Sequence, residues 1–110
     1  MSNKIKPIPA VRDEDGYFCH PVYLAMYGDR EYVPHDEYER WLQDNGVESK
    51  LVIFENDADD DLREEYFDRG QINISKWEPT PPDGDGWFIV DICDTEEVPI
   101  CVFLRSVDHE

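Results

Sequence analysis

Positively charged side chains are scarce in this 110-residue sequence. Ten Lys and Arg residues stand against 27 Asp and Glu residues, which gives a formal net charge of −17. A protein that binds nucleic acid needs Lys and Arg to neutralise phosphates, and anionic membrane surfaces attract basic segments. The charge therefore predicts no direct contact with nucleic acid and disfavours docking on a membrane.

Long apolar segments are also missing. The apolar run Ile100–Leu104 has five residues, whereas a transmembrane helix needs about 20, and the N-terminus lacks the apolar stretch of a secretion signal. Hydrophobic residues still make up 40% of the chain and aromatic residues 13%, which is enough for one hydrophobic core. We expect a soluble, single-domain, cytoplasmic protein.

The few cysteines form neither a disulfide framework nor a zinc site. The chain has three cysteines, Cys19, Cys93 and Cys101. Their number is odd, no two of them form a C-x-x-C motif, and the histidines are not clustered near them. We therefore expect half-buried thiols in a reducing compartment, and no metal or other cofactor.

Sequence signatures of catalysis are absent as well. No Gly-rich phosphate loop occurs, and none of the four serines lies in a nucleophile elbow. Asp57, Asp59 and Asp61 have the spacing of an EF-hand calcium loop, but Leu62 occupies the position where that loop needs glycine. We predict that the protein is not an enzyme and has no specific calcium site.

Apolar periodicity and boundary residues predict three helices. The first begins at Pro21 and ends at Gly28, and the second begins near Pro34 and ends at Gly46. The third covers about residues 59–68 and carries an apolar stripe on an otherwise acidic helix.

The strongest strand pattern is a C-terminal hairpin formed by residues 87–93 and 100–105. A pairing in which Ile92 faces Val102 gives one wholly apolar face. The same pairing sets Cys93 opposite Cys101, and Asp91 opposite Phe103, on the other face. The apolar run Leu51–Phe54 predicts one more strand, covered on both faces.

These elements predict an α+β fold. We expect a small antiparallel sheet, made of the C-terminal hairpin and one more strand, with two or three short helices against one side. Residues 1–16 are predicted to be a loose N-terminal arm, because Pro7 and Pro9 block regular strand pairing. Residues 17–110 are predicted to form the single domain.

Acidic residues are unusually dense between Glu55 and Asp68, where eight carboxylates occur in fourteen residues and Arg63 is the only base. At helical rise the seven carboxylates from Asp57 to Asp68 lie at roughly one per 2.4 Å, against about one charge per 1.7 Å of duplex DNA. Such a surface could compete for a phosphate-binding groove, or it could be a solvated face of a very soluble protein. The candidate partner-binding residues are Glu55, Asp57, Asp59, Asp60, Asp61, Glu64, Glu65 and Asp68.

A second candidate surface is the loop of residues 77–87, which is rich in tryptophan and proline. Trp77, Pro81 and Trp87 are its candidate partner-binding residues, since tryptophans often anchor protein interfaces. The other interpretation, which we favour, is that both tryptophans pack against the edge of the sheet while the prolines stiffen the loop.

Several short motifs resemble small proteins carried by bacterial prophages. They are Gly16-Tyr17-Phe18 with His20-Pro21, Trp77-Glu78-Pro79-Thr80-Pro81-Pro82, Gly86-Trp87-Phe88, and Asp94-Thr95-Glu96. The resemblance implies an accessory protein of a phage that acts in the cytoplasm of a bacterial host, and it transfers no functional residues. In size and charge the chain is also similar to anti-CRISPR and anti-restriction inhibitors, several of which imitate DNA.

Two functional hypotheses follow. The leading one is a non-enzymatic inhibitor from a phage or mobile element, whose acidic surface mimics DNA phosphates and blocks a basic nucleic-acid-binding defence protein of the host. The alternative is a structural or adaptor module that binds a protein partner through the loop of residues 77–87. Both hypotheses leave the oligomeric state and the identity of the target open.

Overall fold

The structure is a computed structural model that describes residues 5–28, 30, 32–68, 70, 74–94 and 98–107. In these residues the chain forms four strands and four helices. The strands are β1 (Phe18–Cys19), β2 (Val47–Ile53), β3 (Phe88–Asp94) and β4 (Pro99–Ser106), and the helices are α1 (Pro21–Tyr27), α2 (His35–Asn45), α3 (Phe54–Asp57) and α4 (Asp60–Phe67). The predicted α+β class is confirmed.

The four strands form one antiparallel sheet in the order β1-β3-β4-β2. The predicted C-terminal hairpin, β3–β4, occupies its centre, although residues 95–97 of the predicted turn lie outside the described residues. The additional predicted strand is present as β2 and is longer than expected. Strand β1 was not predicted, because two residues carry no readable alternation.

The predicted register of the hairpin is wrong. Ile92 faces Cys101 and Asp91 faces Val102, so the pairing on the turn side of the hairpin is offset by one residue from the predicted one. The pairing shifts by a further residue between Ile89 and Asp91. Such a β-bulge adds an unpaired residue, here Val90, and the strict alternation assumed from the sequence does not allow for it.

The observed pairing changes which side chains share a face. Asp91 faces Val102 instead of Phe103, so the carboxylate lies on the same face as an apolar residue of the core. Cys93 faces Ile100, and the predicted pair of Cys93 with Cys101 does not form.

Apolar side chains cover both faces of the sheet. One core contains Tyr23 of α1 and Leu42 of α2 together with Val102, and the other contains Phe54 of α3 together with Phe103. Because neighbouring residues of a strand point to opposite faces, the helices lie on two sides of the sheet and not on one as predicted. The continuous apolar run in β4 is typical of a strand buried on both faces.

Local signals define the helix ends. His20 caps α1, because its Nδ1 accepts the Val22 amide at 3.1 Å while Nε2 lies 2.7 Å from the Lys6 carbonyl oxygen, which places the ring proton on Nε2. Gly46 ends α2 in the left-handed conformation, with φ at 65°. These boundaries match the predicted ones. Helix α3, by contrast, begins at Phe54, which was predicted as the end of a strand.

The arm ahead of β1 has no helix or strand from Ile5 onwards, and residues 1–4 lie outside the described residues. Ile5 is buried and its amide donates to Asn45 Oδ1 at 2.7 Å. Arg12 donates to the carbonyl oxygens of Gly16, Ile74 and Trp77. The described part of the arm is therefore attached at two places, to the end of α2 through Ile5 and to residues 74–77 through Arg12.

Candidate functional site

The acidic segment is anchored by aromatic packing beneath it. Phe54 is 1% exposed, and its ring centroid lies 5.3 Å from that of Tyr66 and 5.2 Å from that of Trp77. Leu62 packs against the same core, whereas Phe67 remains 45% exposed. The predicted apolar stripe of α4 thus fixes one side of the helix to the sheet and turns its charged side outward.

Six of the eight candidate carboxylates are exposed. The exposed residues are Glu55, Asp59, Asp60, Asp61, Glu64 and Asp68, and the half-buried ones are Asp57 and Glu65. Arg63 is the only base of this segment, and it pairs with Asp60 and donates to the Glu55 carbonyl oxygen at 3.1 Å. An exposed pair of this kind is worth little in water, so the segment remains strongly negative.

The acidic helix is shorter than predicted. Ala58 and Asp59 are extended, which separates α3 from α4, so only residues 60–67 share one helical axis. They span about 12 Å and carry four carboxylates, roughly one per 3 Å. One strand of duplex DNA carries one phosphate per about 3.4 Å of helix axis. At about 100° per residue, these four carboxylates occupy a single face of α4.

Two of the candidate carboxylates accept hydrogen bonds that stabilise the fold. Asp59 accepts the Leu62 amide at 2.9 Å and caps α4. Asp57 accepts the indole N–H of Trp77 at 2.9 Å and the Thr80 amide at 3.0 Å. Burial alone would raise the pKa of Asp57, but the hydrogen bonds from Thr80 and Trp77 outweigh it and lower that pKa. Asp57 therefore acts as a hydrogen-bond acceptor that holds the start of the loop of residues 77–87 in place.

A second acidic helix lies elsewhere. Asp36, Glu39 and Asp44 on α2 are exposed, and Glu37 pairs with Arg30 at 2.6 Å. Helix α2 packs on the sheet face opposite to that of α4. The two acidic helices therefore present two separate negative surfaces rather than one continuous surface.

The residues of the alternative surface differ in exposure. Trp77 is 1% exposed and belongs to the core. Trp87 is half-buried beneath Arg105, whose guanidinium carbon lies 4.5 Å from the ring centroid, and its indole N–H donates to the Asp83 carbonyl at 3.0 Å. Pro81 is exposed. Trp77 is thus packed inside the protein and has almost no exposed surface for contact with a partner.

A half-buried carboxyl group that sequence reasoning missed lies on the sheet face covered by α1. Burial raises the pKa of Asp91 to about 6, and the Cys93 thiol donates to its Oδ2 at 3.6 Å. The pKa of Cys93, about 12, and that of Cys19, about 11, are raised first by burial and then by the Asp91 charge. Both groups are therefore thiols at neutral pH rather than reactive thiolates.

The described residues form neither a cluster of metal ligands nor a membrane-spanning helix. Among residues 5–28, 30, 32–68, 70, 74–94 and 98–107, no group of three or more His, Cys, Asp and Glu side chains is placed to hold a metal ion. Within the same part of the chain, no helix has the length and apolar character needed to cross a membrane.

The acidic surface of α4 and the half-buried Asp91 are thus the two places where the chain concentrates unusual chemistry. Comparison with family models, curated proteins and solved structures finds no match to this chain.

Proposed function

We propose that the protein is a non-enzymatic inhibitor, encoded by a phage or other mobile element, that blocks a basic nucleic-acid-binding protein of its bacterial host. The observation that carries this proposal is the exposed face of α4, where Asp60, Asp61 and Glu64 lie beside a single base, Arg63. Their carboxylates take the place of DNA phosphates in the groove of the partner.

The chemistry of recognition is charge-assisted hydrogen bonding. Carboxylate oxygens accept from Lys and Arg side chains much as phosphate oxygens do, and these bonds are stronger than those between neutral groups. A net charge of −17 also steers a basic partner towards the surface and speeds association at low salt. Binding should therefore weaken as the salt concentration rises.

Pre-organisation supports the proposal. The Asp59 cap fixes the start of α4, and packing of Phe54 on Tyr66 fixes its inner side. Because the helix is already ordered, little conformational entropy is lost when a partner binds. No catalytic group is needed for inhibition of this kind, since occupying the groove excludes the nucleic acid.

The proposal is tested by capture on immobilised protein from a bacterial lysate, followed by elution with salt and, separately, with duplex DNA. Three columns are compared: the natural chain, an α4 variant with Asp60→Lys, Asp61→Lys and Glu64→Lys, and an α2 variant with Asp36→Lys, Glu39→Lys and Asp44→Lys. The two variants change the net charge equally but on opposite faces of the sheet.

The expected result is a basic nucleic-acid-binding protein that the natural chain and the α2 variant retain and the α4 variant does not. Both salt and duplex DNA should release it. Equal retention on all three columns, or a partner that neither salt nor DNA releases, would contradict recognition through α4.

A further inference from the structure

The cavity between α1 and the sheet is the feature with the most unexplained chemistry. It has a volume of about 510 Å³ and is lined by residues of α1, β1, β3 and β4, which is within the usual range for small-molecule sites, about 300–1,000 Å³. Asp91 lines it, next to Cys19 on one neighbouring strand and Val102 on the other.

The carboxylate of Asp91 is poorly satisfied within the protein. In the described part of the chain its one hydrogen-bond donor is the Cys93 thiol, a weak donor at 3.6 Å from Oδ2, and it has no ion pair there. No fully buried side-chain oxygen among the described residues lacks a partner. The other oxygen, Oδ1, therefore keeps contact with solvent, and Asp91 lines both this cavity and a neighbouring one of about 760 Å³.

A cation in the cavity would stabilise the ionised carboxylate of Asp91. Burial disfavours the charged carboxylate, and its pKa of about 6 still leaves it mostly ionised at pH 7. A cation that entered the cavity would replace the missing solvation with a charge-assisted hydrogen bond.

The walls of the cavity suit a cation with an apolar body. Tyr23 and Tyr27 line one side with ring centroids 5.8 Å apart, and aromatic rings attract cations. Ile100 and Val102 line the cavity from β4 and offer apolar contact to an alkyl chain. A bare metal ion is disfavoured, since no three metal-ligating side chains converge among the described residues.

Arg30 also lines the cavity but is already neutralised. Its Nη1 and Nη2 donate to the two carboxylate oxygens of Glu37 at 3.0 and 2.6 Å, and Nη2 also donates to the Met26 carbonyl. The guanidinium is therefore held towards α2 and leaves Asp91 without a partner cation.

We propose that this cavity binds an alkylammonium ion, either a free primary amine or a lysine side chain, with the ammonium group on the Asp91 carboxylate and the alkyl chain against Ile100 and Val102. The proposal is independent of the acidic surface of α4, because the two lie on opposite faces of the sheet.

The first test follows the carboxyl carbon of Asp91 by NMR between pH 4 and 8 in the full chain, with n-butylamine or with 1-butanol added. The titratable groups that line this cavity with Asp91 are Cys19, Cys93, Tyr23, Tyr27 and Arg30, and the pKa of each is raised. The neighbouring cavity that Asp91 also lines adds Arg12, Asp13 and Tyr17. Asp91 is therefore the group that titrates near pH 6 in this cavity.

Saturating n-butylamine should lower the midpoint of that titration by roughly one unit, which corresponds to a tenfold preference for the ionised carboxylate. The alcohol, which has nearly the same shape and no charge, should leave the midpoint unchanged. An unchanged midpoint with the amine, or an equal change with the alcohol, would overturn the proposal.

The second test measures n-butylamine binding by calorimetry at fixed ionic strength, using Asp91→Asn and, as a matched control, Asp44→Asn. Asp44 is exposed on α2, so its removal subtracts the same charge without touching the cavity. Affinity should fall at least about tenfold in the first variant, since a charge-assisted hydrogen bond is lost, and stay within about twofold in the second. Equal affinity in both variants would overturn the proposal.

The source of the amine is distinguished by a third probe, Nα-acetyl-lysine N-methylamide. If it binds the natural chain as well as n-butylamine does, the cavity accepts a lysine side chain of another protein. If it binds much more weakly while n-butylamine binds, the cavity takes a free amine. Both patterns support the site, and binding of neither probe would overturn it.

Discussion

The indole nitrogen Nε1 of Trp77 donates a hydrogen bond to Oδ2 of Asp57 over 2.9 Å. The tryptophan lies in the core that packs against α4, and the aspartate is the last residue of α3. A carboxylate that belongs by sequence to the acidic segment is therefore also the acceptor that holds a buried side chain in place.

Removal of that acceptor should destabilise the protein. Asp57→Ala leaves the indole N–H of the buried Trp77 and the exposed Thr80 amide without their acceptor, and the unsatisfied donor of the buried indole costs about 1–3 kcal/mol. Urea denaturation should show a lower free energy of unfolding by that amount. Glu55→Ala, at an exposed position of the same helix, should change it by less than about 0.5 kcal/mol. Equal losses in the two variants would contradict the structural role of Asp57.

The half-buried Asp91 should make stability depend on pH. Its pKa in the folded chain is about 6, above the value of about 3.9 expected in the unfolded chain. Its contribution is therefore fully present below pH 4 and is lost as the pH rises through 6. Relative to Asp91→Asn, the free energy of unfolding should fall between pH 4 and 7 by up to about 3 kcal/mol. Parallel pH curves for the two proteins would contradict this.

The pH dependence of stability that Asp57 causes should be opposite to that of Asp91. Because its folded pKa is lowered by hydrogen bonds, its contribution is present above the unfolded pKa and is lost as the pH falls through the folded value. Asp57→Asn should therefore flatten the acid limb of the stability curve below pH 4, while Glu55→Gln should not.

The corrected register predicts how the thiols behave. Cys93 and Cys101 point to opposite faces of the sheet, and Cys101 is fully buried. Mild oxidation of the native protein should therefore yield no disulfide between them, as peptide mapping would show. Alkylation at pH 7.5 should be slow at Cys93, because its pKa of about 12 keeps the thiol protonated. A Cys93–Cys101 disulfide formed without unfolding would contradict the observed pairing.

The contacts of Arg105 should depend on the shape of its guanidinium. Arg105 pairs with Glu48 at 2.6 Å and lies over the Trp87 ring. Arg105→Lys keeps the charge but loses the planar group that both contacts use. We expect a loss of about 0.5–1 kcal/mol and a change in tryptophan fluorescence. Lys50→Arg, on an exposed position of β2, serves as the control and should change neither.

Local sequence signals were sufficient for the boundaries of α1 and α2. Pro21 fixes the first turn of α1, and Gly46 adopts a positive φ that other residues avoid. The hairpin register could not be obtained in this way. The bulge at Val90 inserts one residue into β3, and nothing in the alternating apolar pattern of that strand indicates it.

The candidate site was predictable only where it depends on local sequence patterns. The exposure of Asp60 and Asp61 follows from the density of acids along one helix face. The role of Asp57 depends on a hydrogen bond from Trp77, twenty residues further along the chain. Local sequence patterns do not predict such a contact. Asp91 was missed because the predicted register placed it on the other face, opposite Phe103.

The central claim, recognition of a basic partner through α4, is tested most directly by the affinity of the captured partner for three proteins over a range of salt concentrations. These are the natural chain, the α4 variant and the α2 variant. The account predicts at least about a hundredfold weaker binding for the α4 variant, binding within about threefold of the natural chain for the α2 variant, and a smaller salt dependence for the α4 variant. Equal losses in the two variants would show that net charge alone drives binding, and would contradict the account.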